Sequence, residues 1–173
     1  MLISVSSILG NIKKDEKLHE AYQTLCQKGQ CEKITISRLE SQRVRMRKTT
    51  DKETDIGFTL EQGTILRNGD VLYQTNDKMI VVELEPENVA VLVFKHADAT
   101  DDEVFEVAVK VGHAIGNLHR PIIVEDEKIF LPIQADSELE LLTKILTPIL
   151  DHLTITSTKM VFEPEEVLHS HEH

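Results

Sequence analysis

Eight histidines, two cysteines and three arginines at alternate positions are the residues of this chain whose chemistry stands out. Imidazole is the commonest protein ligand for transition metals, so the histidines come first. His119 leaves the segment Val111-Gly112-His113-Ala114-Ile115-Gly116-Asn117-Leu118-His119-Arg120-Pro121, which reads as the end of a helix, a tight stop and a turn before a strand. His169, His171 and His173 alternate along the C-terminal segment, so an extended chain turns all three the same way.

One imidazole holds a divalent cation poorly. Zinc takes about four ligands, and nickel accepts nitrogen and oxygen ligands in square-planar or octahedral arrays. His119 becomes a site if two copies of the chain meet across a twofold axis, which brings the same residue from both protomers together. His169, His171 and His173 would then complete the coordination. The other histidines read as structural or surface residues. His113 shares a polar helix face with Glu106, Lys110 and Asn117. His19 lies in a polar stretch and His96 follows a strand. His152 ends a helix, where an imidazolium suits the helix dipole.

Cys26 and Cys31 have C-x4-C spacing, with no second pair to build a four-ligand zinc site, and are expected to be two reduced thiols in a polar loop, the lesser reading being a disulfide or a metal role. Arg43, Arg45 and Arg47 alternate with Val44 and Met46. They fit the solvent face of a half-buried strand, the other reading being an anion patch. No G-x-S-x-G, H-E-x-x-H, glycine-rich phosphate loop or C-x-x-C occurs, so an enzyme is not expected.

The formal net charge of −11 is carried almost entirely by the second half. Residues 1–87 hold 13 Lys and Arg against 14 Asp and Glu; residues 88–173 hold 6 against 16. Such an acidic half repels phosphate backbones, which argues against nucleic-acid binding, and it concentrates cations. No apolar run reaches the roughly 18 residues of a membrane span. The first residues lack a basic region and a small-residue cleavage site. A cytoplasmic protein with no membrane association is expected.

The elements that must position these groups divide at about Glu85-Pro86-Glu87-Asn88. Before it, short strands alternate with turn signals such as Arg67-Asn68-Gly69-Asp70, giving a small all-β domain over 1–86, with a loose helix somewhere in Lys13 to Gln30. Thr64-Ile65-Leu66 reads as one of the strands. After it, Val89 to Phe94 is a continuous apolar strand. Thr100-Asp101-Asp102-Glu103 is a capping box opening a helix with Val104, Ala108, Val111 and Ile115 on one face, Phe105 and Val107 beside it, and a stop at Gly116-Asn117. A hairpin over Glu125-Asp126-Glu127, a second helix capped by Ser137 and broken at Pro148, and a last strand complete the order β-α-β-β-α-β. The expected class is α+β, a β-domain followed by a ferredoxin-like domain over 87–163. Residues 164–173 read as a flexible histidine-containing tail.

At Gly116-Asn117-Leu118-His119, inside this layout, the chain resembles the urease accessory nickel metallochaperone family, UreE. Thr54 to Leu60, Gly63-Thr64-Ile65-Leu66 and Asn68-Gly69-Asp70-Val71-Leu72-Tyr73 are similar to the family's core strand segments, and the likeness runs from about Arg43 to Phe130. The family usually has Arg where this chain has Leu118. The resemblance implies a homodimer with a peptide-binding-like N-terminal domain and a dimerising C-terminal one. His119 of each protomer would bind one Ni(II), or Zn(II), at the interface with help from His169, His171 and His173. Nickel would pass to the urease apoprotein through the accessory GTPase complex. The alternative expectation is a protein-interaction adaptor whose metal binding is incidental.

Overall fold

The computed structural model describes residues 2–95 and 100–164. The chain falls into two compact units, Met1–Glu85 and Pro86–His173.

The first unit holds β1 (Ile3–Val5), β2 (Gly10–Asn11), α1 (Glu16–Gln27), β3 (Cys31–Ile36), β4 (Arg45–Thr49), β5 (Asp55–Thr59), β6 (Asp70–Gln74) and β7 (Met79–Leu84). They build a three-stranded sheet in the order β1-β5-β4 and a four-stranded sheet in the order β2-β6-β7-β3. β1 runs parallel to β5, and β3 to β7. The unit is not all β. α1 is a formed helix, capped by the Asp15 carboxylate accepting from Leu18 N–H, and its Leu18, Ala21, Tyr22 and Leu25 pack on Val71, Met79 and Val81. Thr64-Ile65-Leu66 is not a strand. Leu66 instead fills the core at 1 % exposure, and its N–H reaches the Ser41 carbonyl.

A partly buried ion pair joins the β6–β7 turn to β3, and the residue after β4 adds a hydrogen bond to it. Lys78 Nζ lies 2.6 Å from Glu32 Oε1, and the Thr50 hydroxyl donates to Glu32 Oε2 at 2.6 Å. Burial alone would raise the Glu32 pKa, but the hydrogen bonds from Lys78, Thr50 and Thr54 outweigh it and hold the carboxyl below its ordinary value. Arg43 and Val44 precede β4, which starts at Arg45; Arg43, Arg45 and Arg47 are exposed while Val44 and Met46 are half-buried. Arg47 makes a fork with Asp55, Nε to Oδ1 at 2.9 Å and Nη2 to Oδ2 at 2.6 Å.

The second unit holds β8 (Glu87–Phe94), α2 (Asp101–Gly116), β9 (Ile123–Glu125), β10 (Lys128–Pro132), α3 (Asp136–Ile145) and β11 (Leu153–Met160). The sheet order is β11-β8-β10-β9, with every neighbouring pair antiparallel. The unbroken apolar run of β8 has a reason: both its faces are covered. Ala90 and Leu92 join Val107, Val111 and Ile115 of α2 and Leu142 of α3. Val89 and Val91 pack on Phe162 on the opposite face.

Local chemistry starts and stops the helices. Thr100 accepts from the Glu103 N–H and its own N–H donates to Glu103 Oε2 at 2.8 Å, so the capping box forms. Those bonds lower the Glu103 pKa. Ser137 does not cap α3. Ala135 takes the cap position, and the Glu138 carboxylate reaches back to the Gln134 N–H at 2.7 Å. α3 ends at Ile145, and Pro148 lies in the 3-10 segment Thr147–His152 that follows. The core face of α2 is Val107, Val111 and Ile115. Ala108 is exposed, and Phe105 is 71 % exposed rather than lying against the core.

Candidate metal centre

The exit of α2 determines where His119 points. Asn117 N–H still bonds His113 O at 3.2 Å, and then the chain tightens: Leu118 N–H reaches Ile115 O at 2.9 Å and His119 N–H reaches Gly116 O at 3.1 Å. Gly116 and Asn117, expected to provide the left-handed stop, do not. Asn117 has φ −67°. The left-handed residue is His119 itself, at φ +50°. A β-carbon in that conformation costs about 1–2 kcal/mol, which the neighbours must hold in place.

Both neighbours are anchored. Leu118 packs against the core of the second unit. Arg120 Nη1 donates to Pro132 O at 3.1 Å, and its Nη2 donates to Glu138 Oε1 at 2.6 Å. With Leu118 drawn inward and Arg120 clamped to the end of β10 and the first turn of α3, the His119 side chain is left exposed. Leu118 takes a packing role, lining a small recess with Arg120, Leu131 and Glu138.

His113 is exposed on α2, with Asn117 Nδ2 3.5 Å from its Nε2. It borders a largely apolar cavity of about 460 Å³ between α2 and the α3 end, with Val109, Ile145 and Pro148. His19 is on the surface, its ring nitrogens near Ile12 O at 3.2 Å and Gln23 Nε2 at 2.8 Å. His152 is half-buried, and its carbonyl accepts from Lys95 N–H. His169, His171 and His173, like His96, lie outside the described residues. Among the described residues, no three His, Cys, Asp or Glu side chains converge on one point. The candidate donor here is the exposed imidazole of His119, on a turn whose two neighbours are anchored.

One feature was not foreseen from the sequence, and a second reverses the favoured expectation. The Arg120–Glu138 clamp joins residues 18 apart, with only the proximity of Arg120 to His119 as a signal. Cys26 and Cys31 are not separate thiols; they form a disulfide with their Cα atoms 4.8 Å apart.

Residues 5–85 match the family model described as the UreE urease accessory protein, N-terminal domain. The first unit is a UreE N-terminal domain by this match. The likeness to UreE proteins extends beyond that unit. The urease accessory protein UreE of Natronomonas pharaonis is 31 % identical over 135 residues, covering 78 % of this chain and 61 % of the relative. That of Yersinia aldovae is 28 % identical over 139 residues, covering 76 % and 57 %. That of Yersinia intermedia is 27 % identical over 135 residues, covering 76 % and 58 %. The chain thus spans about three-fifths of the length of these UreE relatives. All are named as accessory proteins of urease, not as enzymes. No helix among the described residues is long and apolar enough to cross a membrane.

Proposed function

We propose that the chain is a cytoplasmic nickel metallochaperone that carries Ni(II) between two protomers and delivers it during urease active-site assembly. The observation that carries the proposal is His119: an exposed imidazole in a left-handed turn, its neighbours anchored on both sides, that belongs to no group of three metal-binding side chains among the described residues. A second copy of the chain supplies the missing donor if the two turns meet on a twofold axis. An exposed stripe on α2 supports that geometry. Phe105 is 71 % exposed and Val109 54 %, and by four-residue spacing they lead through His113 and Asn117 to the turn that bears His119. An exposed aromatic and aliphatic stripe favours burial against a like surface.

On this reading the second unit is a ferredoxin-like dimerisation domain, a reading favoured by its β-α-β-β-α-β order and its β11-β8-β10-β9 sheet. Residues 165–173 add His169, His171 and His173 as further ligands. The urease apoprotein and the accessory GTPase complex are the partners. Zn(II) suits the same imidazoles. The first unit serves as a peptide-binding-like domain.

A second reading, an interaction adaptor with incidental metal binding, draws on the first unit. A concave surface of about 630 Å³ lies over the three-stranded sheet, bordered by Leu2, Met46 and Phe58 with Arg45 and Arg47 beside them. Titrating Ni(II) into the native chain, His119→Ala and a chain truncated before His169 separates the two. Loss of tight binding in His119→Ala is expected. Unchanged binding in that variant, with partner capture that survives chelator, would favour the adaptor.

A further inference from the structure

The α1–β3 connection places two sulfurs together by backbone geometry alone. α1 ends in a two-bond stop: Gln30 N–H donates to Leu25 O at 2.8 Å and Gly29 N–H donates to Cys26 O at 2.9 Å, with Gly29 left-handed at φ +70°. This turn reverses the chain so that Cys31, the first residue of β3, returns beside Cys26, in the last turn of the helix. The far side is fixed. Met79 N–H bonds Gln30 O at 3.0 Å, Cys31 is in register with Met79 of β7, and Lys52 Nζ donates to Gly29 O at 2.5 Å. Both cysteines are half-buried, within reach of a small reagent. Their Cα separation of 4.8 Å lies inside the range a disulfide needs.

We propose that Cys26 and Cys31 form a reversible oxidation site whose disulfide fastens the end of α1 to β3, with a small-molecule disulfide such as oxidised glutathione as the oxidant. One protein thiolate attacks a glutathione sulfur, forming a mixed disulfide and releasing one glutathione thiolate. The second protein thiolate attacks the mixed disulfide, forming the Cys26–Cys31 bond and releasing the second glutathione. Two protein thiols are oxidised and one glutathione disulfide is reduced to two thiols. The mixed species is short-lived because the second thiol is already in place. In the reduced chain the helix end rests on the two capping bonds and on Leu25, which is 5 % exposed. In the oxidised chain it is covalently held.

The test uses the full chain, reduced and then equilibrated without oxygen in glutathione buffers of stepped ratio. Free thiols are trapped with a maleimide and the chain is weighed. Two species are expected, one with both thiols tagged and one with neither. Trypsin cleavage after Lys28 should leave peptides 18–28 and 29–33 joined only in the untagged species. Cys31→Ser should stall as a glutathione adduct on Cys26. Gly29→Ala should move the midpoint toward the reduced form by about fivefold, since a β-carbon at φ +70° weakens the turn that holds Cys26 beside Cys31. A β-carbon at Gly29 meets nothing within 4 Å, so the effect is conformational. A chain that keeps both tags at every ratio, glutathione adducts accumulating on the native chain, or an unmoved midpoint in Gly29→Ala would overturn the proposal.

Discussion

Arg120 Nη2 stands 2.6 Å from Glu138 Oε1, one residue past the left-handed His119. The pair is partly buried, and each member has a second bond, Arg120 to Pro132 O and Glu138 to Gln134 N–H. It links the His119 turn to the end of β10 and to the start of α3. A double-mutant cycle with Arg120→Met and Glu138→Gln is expected to give a coupling of about 1 kcal/mol in urea unfolding. Additive single effects would mean that the pair does not act as a clamp.

The left-handed turn makes a separate prediction about His119. His119→Gly and His119→Ala both remove the imidazole, but only glycine is at ease at φ +50°. His119→Gly is expected to be more stable than His119→Ala by about 1 kcal/mol in denaturant titrations. Under the proposed function, both lose the nickel ligand equally. Equal stabilities would contradict the strained conformation.

Glu32 couples the first unit's stability to pH. Its pKa in the folded state lies below its ordinary value, despite burial, because Lys78, Thr50 and Thr54 hydrogen-bond the carboxylate. A lowered folded-state pKa contributes stability that is fully present above the unfolded-state value, about 4.3, and is lost as pH falls through the folded-state value. Lys78→Met leaves the carboxylate buried without its cation. This should cost about 2 kcal/mol at pH 7, and less at pH 4, where the lone carboxyl can take up a proton. Chemical unfolding at the two pH values checks the sign.

Phe105 tests the proposed association without touching the candidate ligand. At 71 % exposure it contributes little to the fold of one chain. Phe105→Glu is therefore expected to keep its melting temperature at low concentration while shifting the sedimentation profile from dimer to monomer. A dimer that withstands this change would move the interface elsewhere.

Much of this was legible in the sequence wherever local chemistry decides the structure. The Thr100–Glu103 capping box, the turn at Asn68-Gly69 and the doubly buried strand Val89 to Phe94 each need only a few neighbouring residues. The segments resembling UreE were equally local. The α2 exit was not legible. Gly116 and Asn117 are the residues most tolerant of a left-handed turn, but the seating of Leu118 in the core and the clamp on Arg120 move that conformation to His119. Phe105 looked like a core residue by type, and only packing showed it outside. Cys26 and Cys31 looked unpaired because their meeting depends on the turn at Gly29.

The central claim is that His119 from two chains shares one nickel ion. Native mass spectrometry of the full chain with half an equivalent of Ni(II) tests it most directly. A complex of two chains and one nickel ion is predicted, with the ion lost in His119→Ala. Nickel on single chains, or an unchanged nickel count in His119→Ala, would contradict it.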